Sequence, residues 1–377
     1  MRRLQYVLRA HALRPMRAPR NAVGLAALAV VAALLPAGSF SQGRAEPAAR
    51  EATVRFLASR GAVGDWSSYV AAELGYFKDE GINFQPSNLE RPGDIATALI
   101  SGRGDIATSS LPLVIAGALA GAPMKLISAT QKATPHGGYD NWWATLPTSP
   151  INKPGDLRGK KVHIYSQNSL AQAVTREVLA KAGVQVGEYQ EVAIGFAQAY
   201  TALEGSLVDI ALFIEPFYSR SNEVSQKKYG APLKVVYTYL TDFPQGLDLS
   251  GMIVNTDFAA KNPDTVRAFI RANTRAAKWG NAHPDELKKI IAKYTGVPYE
   301  DIKNMIPAEM SEDGRFFPGM MDRLQALMIK YKMIPNFTSP LPDSAFVDHV
   351  PAGPVSILDG RIGKALEPKQ RCKGDAT

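Results

Sequence analysis

TALISGRGDIA (97–107) and TALEGSLVDIA (201–211) share one frame: Thr-Ala-Leu, five residues, Asp-Ile-Ala, repeated 104 positions apart. The segments upstream repeat the same order of parts. TVRFLAS (53–59) is short and rich in β-forming residues, and KVHIYSQ (161–167) is its counterpart. Each leads into a helical pattern. In DWSSYVAAELGYFKDEG, Val70, Leu74 and Phe77 fall at helical spacing and Gly81 stands where a helix-ending glycine belongs; in NSLAQAVTREVLAKAG, Leu170, Val174 and Val178 are four apart and Gly183 closes. From strand start to repeated string is 44 residues in the first unit and 40 in the second. Each Thr-Ala-Leu then closes a helix, and each Asp-Ile-Ala opens a strand. Strand, helix, strand, helix, strand is the order of a mainly parallel sheet with right-handed crossovers. The chain therefore reads as two similarly built α/β units.

A Pro-rich passage, LPTSPINKPGDLRGKK, separates the units around 146–161, and a second crossover is expected near FPQGLDLSG (243–251), with MIVNTDF as one more strand. The remainder reads as helical. NPDTVRAFIRANTRAAKW opens with Asn262 as N-cap and Pro263 in the first turn, followed by HPDELKKIIAKY and PGMMDRLQALMIKYKM. After Pro335 the pattern gives way to an irregular tail over 336–377.

Charge and cysteine bound the function. The formal charge is +8 over 377 residues, but residues 1–45 hold seven arginines and no acid; without those seven, the 43 bases fall to 36 against 35 acids. The basic balance belongs to the leader, and no nucleic-acid partner is expected. Its apolar run AVGLAALAVVAALL (22–35) has 14 residues, short of the roughly 20 a spanning helix needs. Arg-rich start, short apolar run and small residues read as a secretory signal peptide over 1–45, cleaved at about 38–45, and hence a periplasmic protein. The single cysteine, Cys372, permits no internal disulfide and no cysteine-based metal site.

YVAAELGYFKDEGI, TALISGRGDIATSS, AGAPMKLIS, INKPGDLRGKKV, TALEGSLVDIALFIEPF and NPDTVRAFIRAN, in that order, resemble the solute-binding proteins of ABC importers. The branch is the one that handles sulfonates, taurine, nitrate and related solutes, and it shares its fold with the synthases of the thiamine pyrimidine precursor. The resemblance implies a type II periplasmic binding fold: two lobes, each a mainly parallel sheet flanked by helices, joined by a two-strand hinge. Lobe I would comprise 50–146 plus 250–335 and lobe II 147–249. It further implies a monomer that captures a small-molecule solute between the lobes and delivers it to the membrane permease of an ABC importer. The Cys-rich motif associated with the synthases is missing, so no enzyme activity, cofactor, catalytic residue or metal ligand is expected. The alternatives are an enzyme on this scaffold and a sensory binding protein.

Ligands of open α/β sheets lie beyond the C-terminal strand ends. That rule selects Asp65 and Trp66 after the first strand, Ser109 and Ser110 after DIATSS, Gln131 and His136 after KLISATQ, Gln167, Asn168 and Ser169 after KVHIYSQ, and Glu215 and Phe217 after DIALFIEP. Ser110 and Asn168-Ser169 open helices, whose free N–H groups hold an anion or simply receive a cap. Of Trp142 and Trp143, neighbours on a strand, one is expected in the core and one near the ligand. His136 is expected to be a surface or hydrogen-bonding residue, and Glu215 a ligand acceptor or an interlobe contact. Arg60 is either a counter-ion or a surface base, so the solute's charge stays open.

Overall fold

The computed structural model describes residues 51–59, 63–89 and 92–334. The expected signal peptide (1–45), Arg60, and the tail (336–377) with Cys372 lie outside the described residues. In chain order the strands are β1 (Ala52–Ser59), β2 (Ile82–Leu89), β3 (Ile106–Ser109), β4 (Met124–Ala129), β5 (Gln131–Ala133), β6 (Trp142–Thr145), β7 (Lys161–Ile164), β8 (Gln190–Ala193), β9 (Ala211–Phe213), β10 (Lys234–Thr238), β11 (Leu247–Asp248), β12 (Gly251–Asn255) and β13 (Glu309–Met310).

Two sheets share one topology. The first runs β2-β1-β3-β12-β4, with β1 parallel to both β2 and β3 and with β12 inverted. In the second, β7 is parallel to β8, a parallel bridge from Val162 to Ile210 leads towards β9, and β6 lies antiparallel between β9 and β10. The order is thus β8-β7-β9-β6-β10, with the inverted strand again fourth. In each sheet that strand is the one on which the chain arrives after crossing over. The crossings are β5 and β11, paired antiparallel through Ala133↔Leu247 and Lys132↔Asp248. These are the two hinge strands, and β13 adds itself to β5 as a third.

The repeated strings occupy equivalent places. Thr97-Ala98-Leu99 ends the helix Pro92–Ile100, and Thr201-Ala202-Leu203 ends Ala199–Glu204, with Leu99 and Leu203 buried. Ile106 and Ile210, one residue after each repeated Asp, are fully buried. Two expectations need correction. Because β6 pairs with β9 and β10, the chain enters the second sheet before Trp142, not at 146–147. The first long helical pattern is also broken: Trp66–Glu73 ends at Leu74, Gly75 turns at φ +75°, and a short helix Tyr76–Asp79 follows. Gly75, with no Cβ, adopts that left-handed backbone at little steric cost.

The first lobe's core is aromatic. Phe77 stacks on Phe84 at 4.3 Å and on Phe269 at 4.9 Å, joining β2 to the long helix Pro263–Ala282. Ser67 and Ser68 donate to Asn273 Oδ1, which fixes that helix against Trp66–Glu73. Asn262 precedes Pro263 as expected, but its side chain donates to the carbonyl of Phe258 and does not cap the helix. No helix among the described residues is long and apolar enough to cross a membrane.

Candidate functional site

A cleft enclosing about 670 Å³, its open mouth included, lies where the C-terminal strand ends of both sheets face each other. The first lobe supplies Val63 and Gly64 after β1, Ile95 after β2, Ser109 and Ser110 at the end of β3, and Ser250 before β12. The second supplies Asn141 before β6, Tyr165 after β7, Phe196 after β8, Ile214 after β9 and Tyr239 after β10. Antiparallel β6 and β12 contribute their entry ends, which lie beside the exit ends of their parallel neighbours. Gly64 is required by the closeness of this packing: a Cβ there would stand 2.9 Å from Ser250 Oγ and 3.2 Å from Thr108 Cβ.

The walls are aromatic and hydroxyl-bearing. Tyr165 stacks on Phe196 with centroids 4.6 Å apart and planes 12° from parallel. Burial pushes the Tyr165 hydroxyl up to about 12; Ser110 and Ser166 oppose the rise and the nearby Asp65 carboxylate adds to it. Ser110 Oγ reaches towards Tyr165 from the other lobe, yet it makes no hydrogen bond of good geometry; Ser166 Oγ and Asn141 Oδ1 are also buried without one. Leaving such atoms unmade costs roughly 1–3 kcal/mol each, so a molecule that bonds to them recovers that energy. No Lys or Arg stands among the described lining residues.

Of the residues selected by sequence, Ser109 and Ser110 line the cleft. Asp65 is fully buried beneath it and accepts hydrogen bonds from Thr108 and Tyr69. Trp66 is fully buried, set edge-on to Tyr139 at 6.4 Å, with Nε1 unpartnered. Gln131 is fully buried in hinge strand β5, and neither polar atom of its amide has a partner. It lies opposite Leu249, a cleft residue, whose N–H bonds to its carbonyl. His136 is exposed in the turn after β5, away from the cleft lining.

Neither tryptophan lines the cleft. Trp143 is core: it stacks on Tyr237 at 4.7 Å and donates Nε1 to the His163 carbonyl at 3.2 Å. Trp142 is half-buried and covered by Tyr218, stacked at 4.2 Å. Gln167, Asn168 and Ser169 each bond to Gln172 of their own helix. Ser169 Oγ accepts the Gln172 N–H, the Asn168 N–H donates to Gln172 Oε1, and Gln167 Oε1 accepts from Gln172 Nε2. Ser169 is thus the side-chain cap of Leu170–Lys181, and none of the three is among the cleft lining. Glu215 is buried and accepts both the N–H and hydroxyl of Ser219; burial pushes its carboxyl up to about 7. Phe217 begins the next helix and packs against the core.

Sequence reasoning missed Asn141, Tyr165, Phe196, Ile214, Tyr239 and Ser250. The strand-end rule would have found Tyr165 and Ile214 one or two residues earlier than the positions chosen. Phe196 and Tyr239 follow β8 and β10, whose short, half-exposed runs carry little periodic signal.

The model of the NMT1/THI5-like family matches residues 66–287, and the chain belongs to that family. The riboflavin-binding protein RibY of Chloroflexus aurantiacus is 26% identical over 224 residues, 58% of this chain and 59% of that one. A 4-amino-5-hydroxymethyl-2-methylpyrimidine phosphate synthase of Candida albicans is 26% identical over 223 residues, 58% of this chain and 64% of that one. The chain thus spans about three-fifths of the length of the curated relatives it matches. Among solved structures, the alkanesulfonate-binding protein SsuA from Xanthomonas axonopodis pv. citri bound to MOPS superposes with a TM-score of 0.61 at 16% identity, over 77% of this chain and 96% of that one. The shared fold is that of periplasmic binding proteins.

Proposed function

We propose that this member of the NMT1/THI5-like family is an extracytoplasmic receptor that captures a small solute between its lobes and delivers it to an ABC permease. The observation that carries this reading is a cleft walled from both lobes, with Ser110 Oγ and Asn141 Oδ1 buried and unpartnered in its lining. Such groups bind and orient a guest. Bonds made from both sides favour the closed arrangement, so binding shifts a population and needs no chemistry. The Arg-rich leader supports export.

The lining favours a solute with a flat body, received by Tyr165, Phe196 and Tyr239, and with neutral polar edges for the unpartnered atoms. The name of the riboflavin-binding relative agrees with that class. A sulfonate or carboxylate at Ser110, where the helix Leu111–Leu119 begins, is the charged variant of the same reading. A second reading, an enzyme on this scaffold, is favoured by the synthase names among the relatives.

Thermal shift of the mature protein against flavins, pyrimidines, aryl and alkyl sulfonates, carboxylates and nitrate tests both. A ligand at 100 times its Kd stabilises the native state by about 2.7 kcal/mol. Silence across the panel removes the receptor reading, and turnover of any hit puts the enzyme first.

A further inference from the structure

The affinity of a two-lobed receptor depends on the balance between its open and closed arrangements, and residues that never touch the solute can set that balance. The helix Met320–Lys330 bridges the lobes. It packs against Leu111–Leu119 of the first and against Leu170–Lys181 of the second, the helices whose starts bring Ser110 and Leu170 to the cleft wall. Its buried residues are Met320, Met321, Leu324, Gln325 and Met328. Thioether side chains re-pack easily, so this contact tolerates sliding.

Its polar end is more specific. Lys330 Nζ and the Tyr331 hydroxyl each lie 2.5 Å from Glu177 Oε2. Beside them, Arg176 Nη1 donates to the Tyr331 carbonyl at 3.1 Å. Arg176 is itself held by Glu191, with Nε 2.8 Å and Nη2 2.9 Å from the two carboxylate oxygens. The Glu177 side chain is only 10% exposed while Lys330 is 54% exposed, so the catch is a buried carboxylate met by a mobile-stemmed cation and a phenol.

We propose that Glu177 is a positioning residue for solute capture: it fastens the bridging helix to the second lobe and biases the lobes towards closure before any solute arrives. This deepens the receptor reading and rests on it for its purpose. Release of Lys330 and Tyr331 frees the second lobe to swing while the helix stays seated on Leu111–Leu119. Opening without solute is thereby opposed, and opening after capture is slowed.

The test reads interlobe distance in solute-free protein, with spin labels at V186C and K289C, one exposed position on each lobe, in a Cys372→Ser background. Glu177→Gln is expected to add a longer-distance population. Lys330→Met combined with Tyr331→Phe, which leaves Glu177 in place and alters the helix end alone, is expected to do the same. If Glu177→Gln fails to fold, the double variant carries the test. Distance distributions that match the parent overturn the proposal. With riboflavin or any other panel hit as probe, Glu177→Gln is expected to raise Kd about tenfold through koff. A Kd raised with no change in solute-free distance also overturns it. A shifted distance with a silent panel leaves the brace standing and retires the receptor reading.

Discussion

Asp105 and Asp209 make the same exchange in the two lobes. Asp105 Oδ2 accepts the Arg55 N–H at 2.8 Å, and Asp209 Oδ2 accepts the Lys161 N–H at 2.7 Å. Their own N–H groups donate back, to the Arg55 carbonyl at 2.9 Å and the Lys161 carbonyl at 2.8 Å. Each thus fixes the entry of its strand, β3 or β9, against the middle of β1 or the start of β7. The twice-spelled frame has a mechanical cause: a short acid at a strand's first turn satisfies a backbone donor that the ladder leaves free.

Asp209→Ala is expected to cost about 1–2 kcal/mol, because a backbone donor loses a charged acceptor. Asp105→Ala loses the guanidinium of Arg55 as well, but that side chain is 47% exposed and its ion pair is screened, so the added cost is small. Urea midpoints of the two variants check this. If both match the parent, the paired bonds do not explain the repeat.

That repeat made the architecture legible, since the order of strands and helices around it is read by counting residues. The site was less legible. The rule that ligands lie beyond strand ends pointed to loops that line the cleft, but which residue of a loop faces inward depends on turns the sequence spells only faintly. Tyr165 faces the cleft while Gln167 and Ser169 turn back to Gln172, because Asn168 takes φ +54° between them. The tryptophans misled for another reason. Large rings attract attention as ligand walls, yet Trp143 finds a better partner in Tyr237 and Trp142 in Tyr218.

His163 sets a falling edge in acid. Its Nε2–H donates to the Ile194 carbonyl at 2.8 Å and its Nδ1 accepts the Leu212 N–H at 3.1 Å, which ties β7 to the residue after β8 and to the middle of β9 in the neutral form. Burial lowers its pKa to about 4 from 6.5. The unfolded chain therefore takes up the proton first. The stability from neutral His163 is complete above about pH 6.5 and is lost as pH falls towards 4, by roughly 3 kcal/mol. His163→Gln is expected to be less stable at pH 7 and to show a shallower decline from pH 6.5 to 4 in denaturant melts.

Glu215 acts in the opposite sense. Burial holds its carboxyl at about 7 against 4.5, so the folded state keeps a proton that the unfolded chain releases. That contribution is complete below about pH 4.5 and is lost as pH rises through 7. Glu215→Gln keeps an acceptor for Ser219 and has no charge to bury. It is expected to melt above the parent at pH 8 and near it at pH 4.5. An advantage that does not grow with pH would place the Glu215 charge in water rather than in the protein interior.

Ser110 stands at the N-cap of one helix beside the cleft and Asn168 precedes the cap of the other, and their alanine variants should fail in different ways. Ser110 Oγ makes no hydrogen bond of good geometry and only reaches towards the Tyr165 hydroxyl, which keeps Ser166 beside it, so with Ser110→Ala the unliganded fold should melt near the parent temperature. A solute that bonds this hydroxyl would then bind roughly five- to tenfold more weakly. Asn168 stands at φ +54° and its backbone serves Gln172. Alanine tolerates that left-handed conformation poorly, so Asn168→Ala should cost about 1 kcal/mol of stability and leave affinity near the parent value. Thermal melts and a titration with the same panel hit separate the two effects. Ser110→Ala losing stability with unchanged affinity would make Ser110 a structural cap and move the ligand's polar contact elsewhere in the cleft.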